Sequence, residues 1–208
     1  MPILPPAILL DAMKRDAVVD ALSTIADIGI DAAVQGGAFD GLPVVGTLIG
    51  LHRAKQSVEI DLYIRKVGRF LQGLKTLSQQ KREAFTDRLY AKGEAEKFAE
   101  AVLLLLERAD EVGKPALLAR IVAEHVRGNM SQRDCFKLCS SVNRVFSADL
   151  ERLRDFKDGV QEDVEASESL FSAGLLSNQG FDGGGADQTV RPGGTVYALN
   201  RFGALLAR

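Results

Sequence analysis

Glu59-Ile60-Asp61-Leu62-Tyr63-Ile64-Arg65-Lys66-Val67-Gly68-Arg69-Phe70-Leu71-Gln72-Gly73-Leu74 carries the clearest helical signature in the chain. Ile60, Ile64, Val67, Leu71 and Leu74 alternate spacings of four and three, which places them on one side of an α-helix as a buried seam requires. The pattern predicts a helix over about 51–77. Arg65, Lys66 and Arg69 fall off the seam and form a basic cluster.

Upstream, Pro5-Pro6 introduces a helical pattern over about 7–34. Asp16, Asp20, Asp27 and Asp31 recur along it at intervals that share one helix face, opposite Ala, Val, Leu and Ile. This is an acidic stripe on an amphipathic helix, which Gly36-Gly37 is expected to end. Residues 35–50 then read as a Gly-rich apolar connector with Pro43 inside. Its run from Leu42 to Leu51, with Val44, Val45, Leu48 and Ile49, is about half as long as the ~20 residues a spanning helix needs. Such a run is either an apolar crossing packed under the bundle or, beside the cations Arg53 and Lys55, a membrane-active segment.

Downstream, Ser78 can cap a helix carrying Phe85 and Leu89 that stops at Lys92-Gly93. A central helix over 94–112 repeats the seam at Phe98, Val102, Leu105, Ala109 and Val112. Pro115 suits the first turn of the next, which ends at Arg127-Gly128, and Ser131 with Asp134 opens another. Phe136, Cys139, Val142 and Phe146 are expected to line its inner side, and Ser147 to begin a helix through Leu150, Leu153 and Phe156. After a helical pattern at 162–176 and a glycine-rich loop, residues 188–191 and 195–199 around Pro192-Gly193-Gly194 read as a β-hairpin. Asn200 can cap a short last helix with Phe202, Leu205 and Leu206.

The expected fold class is therefore mainly α, a multi-helix bundle with a small C-terminal winged-helix-like β-hairpin. Three parts are expected: the acidic amphipathic helix and connector at 1–52, a helical bundle at 53–158, and a winged-helix-like part at 159–208. A chain of 208 residues, 46% hydrophobic and 26% charged, is long and apolar enough to bury its own core.

Charge and composition narrow the function. The net charge is −2, so no overall basicity points to nucleic acid. Residues 1–41 hold six Asp against two Lys and Arg, whereas residues 42–92 hold ten Lys and Arg against four Asp and Glu. The two regions either neutralise each other or serve separate partners. Two cysteines exclude a disulfide framework and fit a reducing cytoplasm, and the N-terminus lacks the basic start of a signal peptide. Cys135 and Cys139 share a helix face, as buried thiols do; as metal ligands they would need two further donors. His125 suits a helix C-terminus without any catalytic role. No nucleophile elbow or phosphate loop is present, and the aspartate stripe lacks the Glu and His of a helical metal site. No cofactor and no metal are expected, and no enzyme.

Leu170-Phe171-Ser172-Ala173-Gly174-Leu175-Leu176 and Gly194-Thr195-Val196-Tyr197-Ala198-Leu199-Asn200-Arg201-Phe202-Gly203 resemble the end of a winged-helix module. The helix before the wing carries Glu162, Asp163, Glu165 and Glu168 without a cation, and only Arg191 and Arg201 decorate the wing, so the shape suits packing or protein contact better than DNA. Across about 40–200, Pro43-Val44-Val45-Gly46-Thr47-Leu48-Ile49-Gly50-Leu51, Leu71-Gln72-Gly73-Leu74, Gln79-Gln80-Lys81-Arg82-Glu83-Ala84-Phe85 and Asn143-Arg144-Val145-Phe146-Ser147-Ala148-Asp149-Leu150 resemble bacterial abortive-infection alpha proteins. That resemblance implies a non-enzymatic protein that limits phage growth. The juxtaposed opposite charges and the apolar connector add the expectation of a cytoplasmic protein, peripheral at the inner membrane, that binds anionic lipid, a protein partner or itself, with the acidic helix covering the connector until release. A winged-helix DNA-binding regulator is the alternative.

Overall fold

The computed structural model describes residues 4–29, 32, 43–55, 57–158, 164–185 and 193–207. It is mainly helical with one small antiparallel sheet near the C-terminus, the expected fold class. The chain divides into two compact units, Met1–Cys139 and Ser140–Arg208.

The first unit is organised around helix α4 (Val58–Leu74). Ser57 caps it by accepting from the Glu59 amide, and Ile60, Ile64, Val67, Leu71 and Leu74 are all buried, so the seam is where the spacing puts it. Before it run α1 (Pro6–Lys14), α2 (Asp16–Ile28) and α3 (Pro43–Lys55). After it come α5 (Gln79–Ala91), α6 (Ala95–Arg108), α7 (Lys114–Val126) and α8 (Gln132–Arg144), whose residues from Ser140 onward belong to the second unit. Helices α2 and α7 flank α4, and both approach it closely at glycines. A methyl group on Gly68 would lie 2.3 Å from the Leu22 carbonyl oxygen of α2, and one on Gly73 would lie 2.5 Å from the Ala119 side chain of α7. The local signals hold here: Ser78 caps α5, Gly93 and Gly128 take positive φ after α5 and α7, Pro115 sits in the first turn of α7, and Ser131 accepts from the Asp134 amide.

Four expectations in this unit need correction. The helix expected over 7–34 breaks at Arg15, which is extended (φ −114°, ψ 115°). The break lets α1 pack on α5 and α6 while α2 packs on α4, directions that one straight helix could not serve. Its second half ends at Gly29 (φ 85°), ahead of Gly36-Gly37, which lie outside the described residues. The connector is helix α3 from Pro43 onward, so the helix expected over 51–77 is two helices parted before Ser57. Burial of Val45 and Leu48, three apart, offsets the weak helix propensity of Gly46 and Gly50 on the exposed side. Finally, α6 ends at Arg108, because Ala109 turns extended, and Val112 is half exposed rather than on the seam.

The second unit holds α9 (Ser147–Glu151), a 3-10 turn (Arg152–Asp158), α10 (Val164–Ser172), β1 (Leu176–Asp182), β2 (Gly194–Leu199) and α11 (Arg201–Leu206). The helix expected through Leu150, Leu153 and Phe156 is α only as far as Glu151 and continues as 3-10; all three side chains are buried, but Phe146 is 73% exposed just before α9. The strand expected at 188–191 falls among residues 186–192, outside those described. The partner of β2 is instead β1, taken from the end of the expected helix and the start of the expected loop; Leu176 pairs with Leu199 and Asp182 with Gly194. A bulge at Gly180 (φ 117°) absorbs the register shift between Asn178 and Gly180. Asn200 caps α11 as its sequence position suggests. Its side-chain oxygen accepts from the Phe202 and Gly203 amides, and its amide group donates to the Gly174 and Leu176 carbonyls.

The two glycine environments give opposite expectations. Gly68→Ala should lower stability by about 1–3 kcal/mol through overpacking against the α2 backbone. Gly46→Ala, which meets nothing within 4 Å, should raise it by roughly 0.5–1 kcal/mol through helix propensity. Denaturant melts of the two variants check both signs.

Candidate functional site

The acidic stripe of α2 faces the basic region that follows α3, and among the described residues the two neutralise each other through three cross-element ion pairs. Asp27 meets Arg69 of α4 at 3.2 Å, Asp20 meets Lys75 just after α4, and Asp16 meets Arg82 of α5. Asp31 lies outside the described residues. Arg82 is 1% exposed, and among the described residues its Nε and Nη1 have no hydrogen-bond partner, so Asp16 is the group that compensates a buried charge. Sequence reading missed this burial. Arg82 lies three residues before Phe85 and seven before Leu89, on the same inward face, and that spacing was the available signal.

The remaining cations of the predicted cluster are engaged as well. Arg65 pairs with Asp61 at 3.0 Å, and Lys66 donates to the Glu107 carbonyl at 3.4 Å. Of the predicted apolar contact residues, Val45 and Leu48 are fully buried and Ile49 is half-buried, whereas Arg53 is exposed. Leu42 lies outside the described residues, as do the side chains of Val44, Leu51 and Lys55. At rest, then, the two large apolar side chains at the centre of the segment belong to the core.

What the surface of α4 does expose is Val58, at 75%, and Leu62, at 42%. Val58, Leu62, Arg65 and Arg69 follow at intervals of four, three and four, so two apolar side chains and two guanidinium groups share one outward stripe. The seam's own periodicity, shifted by two residues, was the signal for this stripe.

A second feature lies where α5 and α7 end. There a cavity of about 530 Å³ is lined by Phe85, Arg88 and Lys92 from α5 and its cap, by Glu94, and by His125 and Met130. His125 Nδ1 donates to the Met130 carbonyl at 2.9 Å, which fixes the ring. The imidazole stands edge-on to Phe85 (5.4 Å between centroids) and lies nearly parallel to Phe98 at 6.2 Å.

Other titratable groups are structural. Tyr63 is buried with no partner for its hydroxyl among the described residues, and burial, aided by the Glu107 carboxylate, pushes its phenol well above the usual range. Cys135 and Cys139 are free and buried; the hydrogen bond with Cys135, and then burial, push the Cys139 thiol up. Among the described residues no group of three or more His, Cys, Asp or Glu could hold a metal ion, and no helix is long and apolar enough to cross a membrane. In the second unit Arg201 is exposed over the Phe202 ring at 4.6 Å, while Arg191 lies outside the described residues.

Two measurements check this arrangement. Asp16→Asn should cost on the order of 2–4 kcal/mol because it strands the Arg82 charge, whereas Asp20→Asn, whose pair with Lys75 is solvated, should cost under ~1 kcal/mol. Urea titrations giving equal losses would contradict the assignment. At about pH 8 both thiols should react with an aromatic disulfide reagent only after unfolding, so native-state labelling within seconds would place them elsewhere. No protein-family model, curated protein or solved structure matches this chain.

Proposed function

We propose that this chain is a non-enzymatic binding protein that docks on an anionic membrane surface through the outward stripe of α4. One observation carries the reading: Val58 and Leu62 are exposed in line with Arg65 and Arg69, with Arg53 of α3 also exposed. Apolar side chains beside cations suit an interface where acyl chains lie under anionic headgroups. The ion pairs of Arg65 and Arg69 leave both side chains more than a third exposed, so exchange of a carboxylate partner for a lipid phosphate requires no unfolding. Docking of this kind uses the resting fold and does not require Val45 and Leu48 to leave the core.

The likeness to bacterial abortive-infection alpha proteins supplies the biological setting, phage defence, and rests on those short stretches of sequence alone. The alternative, a DNA-binding regulator, finds less support. Helix α10 holds no Lys or Arg and exposes Glu165 and Glu168, whereas phosphate contacts depend on cations.

Flotation with vesicles rich in phosphatidylglycerol, and with phosphatidylcholine vesicles, tests the reading at low and high salt. Binding to the anionic vesicles alone is expected, reduced at high salt and abolished in Val58→Asp/Leu62→Asp, whose exposed sites leave the fold intact. Equal flotation of that variant, or flotation with neither vesicle, sinks the proposal. Leu48→Asp is not a usable probe, because it places a charge in the core.

A further inference from the structure

The cavity at the ends of α5 and α7 has no part in the docking face, and its lining points to a ligand of its own. Its volume of about 530 Å³ falls within the range of small-molecule sites, roughly 300–1,000 Å³. Two rings line it. Phe85 and His125 stand edge-to-face, and His125 is held in place by the Met130 carbonyl, so their orientation is set before any ligand arrives.

Arg88 and Lys92, one helical turn apart, supply two positive charges, and Glu94 supplies one negative charge. Neither Arg88 nor Lys92 has an ion-pair partner among the described residues, a condition they share with exposed cations such as Lys81 and Arg120; what sets them apart is their place on the cavity wall. The Arg88 guanidinium lies 5.8 Å from the centre of the Phe85 ring. The C-terminus of α5 favours cations there, yet that preference does not account for a ring-lined void beneath them. We infer that the cavity binds a small aromatic monocarboxylate, its ring packed against Phe85 and His125 and its carboxylate between Arg88 and Lys92. The surplus of one positive charge in the lining matches a single negative charge on the ligand. A phosphate monoester would bring a second negative charge toward Glu94.

The test uses the full chain with 4-fluorobenzoate as probe, read by fluorine NMR line-broadening and by the shift of the His125 ring protons. Those protons are assigned by comparison with His125→Gln. Saturable binding is expected, with a shift of His125 and not of His52. Arg88→Ala/Lys92→Ala, at exposed positions, should weaken it about tenfold or more while the circular dichroism spectrum stays unchanged. The neutral 4-fluorobenzyl alcohol should bind at least about tenfold more weakly, and adenosine monophosphate should not displace the probe. Several results would overturn the inference: no saturation by about 10 mM, equal affinity for the alcohol, unchanged affinity in the double variant, or displacement by the nucleotide. These readouts are independent of vesicle binding, so failure here leaves the docking face untouched.

Discussion

The first unit depends on one close approach, between the backbone of α2 at Leu22 and the backbone of α4 at Gly68. There is no room for even a methyl group on Gly68. Helices that come this near exclude water along the whole contact, so every apolar residue of the facing stripes is driven into burial: Val18, Val19, Leu22 and Ile25 from α2, Ile60, Ile64, Val67 and Leu71 from α4. The approach also fixes which charges meet. With the two helices in register at Gly68, Asp27 reaches Arg69, and toward the other end of α2 Asp20 reaches Lys75. The ion pairs are a consequence of that packing more than its cause, since both are largely solvated and solvated pairs contribute little.

Asp16 and Arg82 are different because the arginine is buried. Deleting the carboxylate leaves a charge with neither water nor partner, so the pair acts as a constraint on what α2 can do. It ties the start of α2 to the first turns of α5, just past the break at Arg15. Helix α1 meanwhile leans on α5 and α6, where Lys14 meets Asp87 at 2.6 Å. The kink at Arg15 is thus held from both sides, which makes an acidic helix that swings away as one piece a poor description of the resting molecule.

Legibility followed the range of the physics. Ser57, Ser78, Ser131 and Asn200 act through hydrogen bonds to amides two or three residues away, and three of these caps were read directly from the chain. The α4 seam was legible because a single helix carries the whole pattern. The break at Arg15 was not, since no glycine or proline marks it and only the different partners of α1 and α2 require it. Strand β1 was missed for a related reason: Leu176–Asp182 carries Gly, Asn and Asp, reads as loop, and becomes a strand only because β2 pairs with it. The mutual neutralisation of acidic and basic regions was one of two readings of the charge pattern. The apolar connector looked available because hydropathy cannot say which side of a helix faces the core.

Helix α5 shows how far charge alone falls short of assigning a role. Its own cations and that of its cap have the same sign and sit within about three helical turns, yet they do different things. Arg82 shares the inward face with Phe85, Thr86 and Leu89, and its charge is met by α2. Lys81, Arg88 and Lys92 are exposed, and among the described residues none of them meets a carboxylate. Since 88 and 92 differ by four, they point nearly the same way, toward a space bounded by the very ring that Arg82 helps to bury alongside. Burial divides one basic segment into a structural cation, Arg82, and exposed cations, of which Arg88 and Lys92 border the cavity. That pair, beside rings already fixed by packing, is what the inferred ligand site rests on.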